Sequence, residues 1–126
     1  MVTSELLRGN VLEWLLEEDD PAVRYLALRD LAGGAPDDAE LRAARAGAHS
    51  DGPIATVLAN MADEGWWCEP GPGYYPKYRG TVWSVILLAQ LGASIDQDRR
   101  IERACTYLLD HALMESGQFT TAGGPS

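Results

Sequence analysis

Lysine is nearly absent from this chain, with Lys77 alone against nine arginines. No short segment gathers these cations into a patch: ten acids face five arginines in residues 1–50, and nine acids face five bases beyond. A formal net charge of -9 spread in this way repels phosphate backbones and anionic surfaces, because counterion release needs clustered Lys and Arg. No nucleic-acid partner is expected. No apolar run approaches the about 20 residues that cross a bilayer, and the N-terminus lacks a basic segment followed by an apolar one, so the expectation is a cytoplasmic chain without a membrane span. Cysteine is as scarce: Cys68 and Cys105 stand far apart, with no second Cys or His at ligand spacing. That excludes a disulfide framework and a zinc knuckle, and fits a reducing compartment with no cofactor. The excess of Arg over Lys fits a high-GC bacterial coding sequence.

Aromatic residues are also few, ten in all, but six of them, Trp66, Trp67, Tyr74, Tyr75, Tyr78 and Trp83, fall within eighteen positions. The same stretch holds Pro70, Pro72 and Pro76, Gly71, Gly73 and Gly80, and the cations Lys77 and Arg79. Everything around it has the pattern of short helices. With 126 residues the chain amounts to about one domain.

Val11, Leu12, Leu15 and Leu16 share a face around Trp14, with Asn10 as an N-cap, which predicts a helix over Val11 to Glu18. Asp19-Asp20-Pro21 ends it and starts the next, since Pro suits the first helical position and an Asp before it caps free amides. Val23, Leu26, Ala27, Asp30 and Leu31 form that helix's stripe, and Gly33-Gly34 closes it. A third helix is expected from Asp38 to Ala48. A fourth runs from Pro53 to about Ala62 with Ile54, Val57, Leu58 and Met61 as its stripe, after a break at Asp51-Gly52-Pro53. Gly80 to Leu91 is apolar nearly all round and is expected to be buried on most sides. The last helix, Asp96 to Ala112, turns Ile101, Ala104, Cys105, Leu108 and Leu109 inward and Arg99, Arg100, Glu102 and Arg103 outward. The fold class is therefore all-α, about six helices in antiparallel hairpins, with a long aromatic loop.

The chain also repeats itself. Glu64-Gly65-Trp66-Trp67 follows one helix, and Ser116-Gly117-Gln118-Phe119 follows another, with Gly117 lying 52 residues after Gly65. Each is a helix, a polar turn with Gly, and then an aromatic. Over residues 54–121 this pattern, together with Thr81-Val82-Trp83 leading to Leu88-Ala89-Gln90-Leu91-Gly92, resembles the α/α-toroid superfamily of squalene and terpenoid cyclases and protein prenyltransferases. The Asp-Pro turn followed by Ala22-Val23-Arg24-Tyr25 resembles HEAT-like helical hairpins. The resemblance implies one helical-repeat domain, HEAT-like in 1–50 and toroid-like in 51–126, forming a partial toroid or solenoid. The chain departs from the family motif, with Met61 and Leu113 where a Gln is usual and Phe119 in place of Trp. A full toroid has about six hairpins and this chain about three. The expectation is a piece of a longer toroid, a naturally short relative, or a protomer that completes its arc as a homo-oligomer, because repeats leave their terminal faces open.

The chemistry implied by that resemblance can be searched for directly. The Asp-x-Asp-Asp motif of squalene cyclases is not found in the sequence; Glu17-Glu18-Asp19-Asp20 sits before Pro21, where acids cap a helix and meet its positive end. A prenyltransferase-like zinc site would call on Cys68, Asp110 and His111, but Cys105 has the position of a core residue. His49 falls in a polar, solvated loop, and His111 near a helix end serves the last carbonyls. No nucleophilic triad is visible, whereas Asp63, Glu64 and Glu69 lie near any pocket the insert lines.

Pro70-Gly71-Pro72-Gly73 stiffens the insert. Trp66 and Trp83 take the position of repeat-locking core, and Trp67, Tyr74, Tyr75, Tyr78, Lys77 and Arg79 that of a recognition surface. Aromatic faces beside hydroxyls and cations suit an apolar or aromatic small molecule, and equally a peptide. The expected function is small-molecule binding on these eight residues, over the helix that starts at Thr81. The alternatives are a prenyltransferase- or cyclase-like enzyme, or a protein-interaction scaffold.

Overall fold

The computed structural model describes residues 11–33 and 38–121. Six helices follow in order: α1 (Val11–Leu15), α2 (Pro21–Asp30), α3 (Ala39–Ser50), α4 (Pro53–Ala59), α5 (Thr81–Gln90) and α6 (Arg99–His111). No strand occurs among the described residues, so the fold is all-α as expected. Asn10, Gly34 and Gly123-Gly124-Pro125-Ser126 lie outside the described residues. The chain divides into two compact units, Met1–Thr56 and Val57–Ser126.

In the first unit the helix starts are set by side chains. Asp20 caps α2, its Oδ1 accepting from Val23 N at 3.2 Å, and Pro21 fills the first helical position, where its missing N–H costs nothing. Asp38 caps α3 in the same way, accepting from Glu40 N at 2.7 Å. Helix α2 packs on α3, burying Ala22, Tyr25, Ala27 and Leu28 on one and Leu41, Ala44 and Ala48 on the other. The buried face of α2 is thus turned away from the stripe expected of it. Val23 is exposed, and Val23, Leu26, Ala27, Asp30 and Leu31 line a shallow groove of about 280 Å3 together with Leu15. Tyr25 is held from two sides, with the Arg29 and Arg45 guanidinium carbons each 5.7 Å from its ring centroid. Asp30 in turn holds Arg29 at 2.7 Å, a hydrogen bond that lowers the Asp30 pKa.

His49 corrects an expectation. It is buried, not solvated, because α3 continues to Ser50 and draws the ring into its last turn, where Nδ1 lies 2.8 Å from the Arg45 carbonyl.

In the second unit α5 packs on α6. Asp98 caps α6, accepting from Arg100 N at 2.9 Å, and also takes the Arg100 guanidinium at 2.7 Å. That hydrogen bond raises the Arg100 pKa against a smaller opposing effect of burial. Helix α6 buries Ile101, Ala104, Tyr107 and Leu108, a stripe at spacings of three, three and one that includes Tyr107. Leu109 is 52% exposed, and Cys105 half-buried, so the inward face is rotated from the one expected.

The expectation of a mostly buried α5 is also corrected. Only Thr81 and Leu88 are buried in it, while Ile86 and Leu87 are 44% and 42% exposed. A helix apolar nearly all round is suited to burial on most sides, but α6 and the loop at its first turn leave Ile86 and Leu87 uncovered.

Candidate functional site

The aromatic insert separates into three parts. Trp67 is core: 4% exposed, with its indole N–H donating to Val57 O at 2.7 Å and its backbone N–H to Thr81 Oγ1 at 3.0 Å. Both of its donors are spent inside the fold, so it offers no surface to a ligand. The sequence pattern puts Trp66 in the core and Trp67 on a surface; instead Trp67 is buried, and Trp66 is half-buried and lines a groove. The 52-residue register contained the signal, since Phe119 corresponds to Trp67 and not to Trp66.

The second part is a cluster that packs on itself. Tyr74 meets Tyr75 edge-on at 4.9 Å between centroids, and Trp83 lies 5.4 Å from Tyr74 and 4.9 Å from Tyr78. Trp83 donates its indole N–H to Tyr74 O at 2.8 Å, and the Lys77 ammonium sits 5.0 Å over the Tyr78 ring. Gly73 lets this loop lie on the start of α5. Its φ is +86°, and a Cβ there would come within 2.7 Å of Thr81 Cβ. Arg79 is exposed, and its carbonyl accepts from Cys68 Sγ at 3.2 Å. Tyr75 and Tyr78 keep 60% and 70% of their surface exposed, with Tyr75 against Tyr74 and Tyr78 against Trp83.

The third part is the concave one. Trp66 and Pro70 line an open groove of about 940 Å3 together with Glu64 and residues of α6, including the exposed Arg103, Asp110 and His111 and the edge of the buried Tyr107. Three contacts hold the loop to the helix. Gly65 has φ +109° and touches the α6 backbone so closely that a Cβ would lie 2.8 Å from Arg103 O. Arg103 Nη1 donates to Asp63 O at 3.2 Å, and Gly71 N donates to Tyr107 Oη at 2.7 Å. Tyr107 is thereby both buried ring and buckle. Its face carries His111, stacked at 3.9 Å and 14°, whose Nδ1 lies 2.9 Å from Tyr107 O.

Of the eight residues expected to bind ligand, Trp66 lines this groove. Tyr74, Tyr75, Lys77, Tyr78 and Arg79 belong to the loop and Trp83 to α5, none of them in its lining, and Trp67 is buried in the core. Of the α6 residues that line the groove, the sequence points to Asp110 and His111 only as zinc ligands and to Arg99, Glu102 and Arg103 only as an outward face. Arg99, Glu102 or Arg103, Thr106 and Asp110 recur at spacings of three and four, which puts them along one side of a helix, but such a charged stripe has the pattern of a solvated face.

Chemically the groove offers ring faces, carboxylates and imidazole in one concavity, with a volume inside the range of small-molecule sites. Among the described residues, no group of three His, Cys, Asp or Glu side chains is placed to hold a metal ion. In comparisons with protein-family models, curated proteins and solved structures, no match to this chain was found.

Proposed function

We propose that the Val57–Ser126 unit is a small-molecule binding module that holds the flat apolar or aromatic part of its ligand in the groove between Trp66, Pro70 and α6. One observation carries this reading. The groove of about 940 Å3 is lined by a half-buried indole from the loop and by His111, stacked on the Tyr107 ring, from α6, so aromatic surface is offered to a planar ligand by both the loop and the helix. Offset or edge stacking of this kind contributes about 0.5–1.5 kcal/mol per aromatic pair beyond the area buried. The loop's own aromatics support the site from behind by fixing the insert on the start of α5.

Kinship with the α/α toroids is part of the same proposal. Its support is the 52-residue repeat, whose two glycine turns are closed by matching hydrogen bonds.

Calorimetric titration with planar aromatic and isoprenoid ligands tests the reading. Binding by a planar ligand should weaken by about tenfold or more in Trp66→Ala, as lost stacking and contact area require, and stay unchanged in Tyr75→Ala and Tyr78→Ala. Binding that is lost in the tyrosine variants and kept in Trp66→Ala would move the site to the insert cluster, and no heat with any ligand sinks it.

A further inference from the structure

We propose that copies of this chain associate head to tail, the aromatic insert of one seating on the Leu109–Leu113–Phe119 face of the next. Two stretches of opposite character carry this. From Pro70 to Ile95 the sequence has no Asp or Glu and two cations, Lys77 and Arg79; from Ala104 to Ser126 it has no Lys or Arg and two acids, Asp110 and Glu115. Every large apolar side chain that is exposed in the described part of the Val57–Ser126 unit falls in one of them. Tyr75 and Tyr78 are the most exposed of the first stretch, and Leu109, Leu113 and Phe119 make up the second.

The acid-free stretch keeps its charge available. Lys77 sits 5.0 Å over the Tyr78 ring and Arg79 is exposed, and neither has a carboxylate partner among the described residues. Arg99 and Arg100, by contrast, are paired with Glu102 and Asp98.

The cation-free stretch presents a contiguous apolar surface. Met114 N donates to Gln118 O and Thr120 N to Ala112 O, so Leu113 and Phe119 oppose each other without bonding to one another. In an antiparallel pair of that kind the two side chains stand on one side and at their closest. Leu109 lies four residues before Leu113, near the end of α6. The Trp67 N–H is received by the Thr81 hydroxyl, whereas the Phe119 N–H has no acceptor among the described residues. The Tyr75 and Tyr78 hydroxyls are acceptors that the insert of another copy brings.

Charge decides how these faces meet. Insert on insert sets Lys77 and Arg79 against their own counterparts, and the Phe119 face on itself does the same with Asp110 and Glu115. Both arrangements add like-charge repulsion to a chain whose net charge is already -9. Insert on the Phe119 face instead sets cations against acids and tyrosine rings against apolar side chains, with Tyr and Arg the residue types that dominate protein interfaces. The contact is heterologous, so it closes into a ring or continues as a filament. Patches this small make a weak interface, below about 1,200 Å2. Copies therefore separate on dilution, and denaturation of dilute protein reads the single chain.

Sedimentation velocity of the full chain tests the proposal. At low ionic strength the mean mass should rise with concentration from the 13.7 kDa of one chain to at least twice that, and fall back in about 1 M salt, where charges are screened beyond about 3 Å. Two variants block one face each: Lys77→Glu, Arg79→Glu at the insert, and Leu109→Ser, Phe119→Ser at the other face. All four sites are exposed and none lines the groove, so ligand binding there is a separate outcome. An unaltered thermal midpoint shows that each variant is folded; where one is not, Tyr78→Ser or Phe119→Ser alone makes the same block. Each variant by itself should stay monomeric where the parent associates. Their equimolar mixture should form a one-to-one pair and nothing larger, because one intact insert and one intact Phe119 face remain between them. A parent that is monomeric at every concentration overturns the proposal, as does self-association of either variant alone or a mixture that forms no pair.

Discussion

After α4, Gly65 N donates to Ala62 O at 2.9 Å and Ala62 N to Trp66 O at 2.8 Å; after α6, Gly117 N donates to Met114 O at 2.9 Å and Met114 N to Gln118 O at 2.7 Å. The two glycines have φ of +109° and +88°. With the backbones so alike, the aromatics that follow differ completely: Trp67 is 4% exposed and Phe119 is 59% exposed. Trp67 is received by Val57 and by Thr81 at the start of α5, whereas Phe119 pairs with Leu113 through the backbone, in an isolated bridge that leaves its side chain exposed. The turn is a local product of a short polar sequence around a left-handed glycine. The burial of its aromatic is not local, and depends on a following helix that arrives with an acceptor in its first turn.

The comparison breaks most sharply at the aromatics themselves. Trp67→Ala should lower stability by about 3–5 kcal/mol, the range for emptying a buried large side chain, read as a drop in the chemical-denaturation midpoint. Gly65→Ala comes next, at about 2–3 kcal/mol, because it adds a positive-φ strain to a clash with Arg103 O at 2.8 Å. Gly117→Ala shares the strain but has nothing within 4 Å of the new Cβ, so about 1 kcal/mol is expected; equal losses at the two glycines would show that the close approach to α6 contributes nothing. Thr81→Val removes the acceptor of the Trp67 N–H and should cost about 1–2 kcal/mol in the same denaturation experiment. Phe119→Ala should fall within about 0.5 kcal/mol of the parent, and a larger loss would mean that Phe119 is covered in solution.

What the sequence revealed follows from how local each feature is. Asp20, Pro21 and Asp38 announced their helices because a cap bonds within three residues. The 52-residue register was equally legible, and counting it from Phe119 leads to Trp67. Composition alone could not choose between adjacent indoles, which differ only in the side of the chain they face. Helix α5 shows that an apolar sequence makes burial favourable without providing something to pack against. His49 was misplaced because α3 runs two residues further than its Ala-rich pattern marks. The groove stayed hidden because its parts come from a turn and a helix forty positions apart, joined through contacts such as Arg103 to Asp63, and because the helix side involved is its polar one.

Tyr107 has a consequence of its own. Its ring is 7% exposed, its hydroxyl is fixed by Gly71, and its outer face already carries the His111 imidazole. The platform is preorganised. Immobilising a side chain on binding costs about 0.5–1.5 kcal/mol, and here that ordering is completed when the protein folds. Tyr107→Phe keeps the ring and its stack but releases the loop; if the groove binds the planar ligand proposed above, the loss of affinity in this variant measures how much of the binding comes from having been shaped in advance.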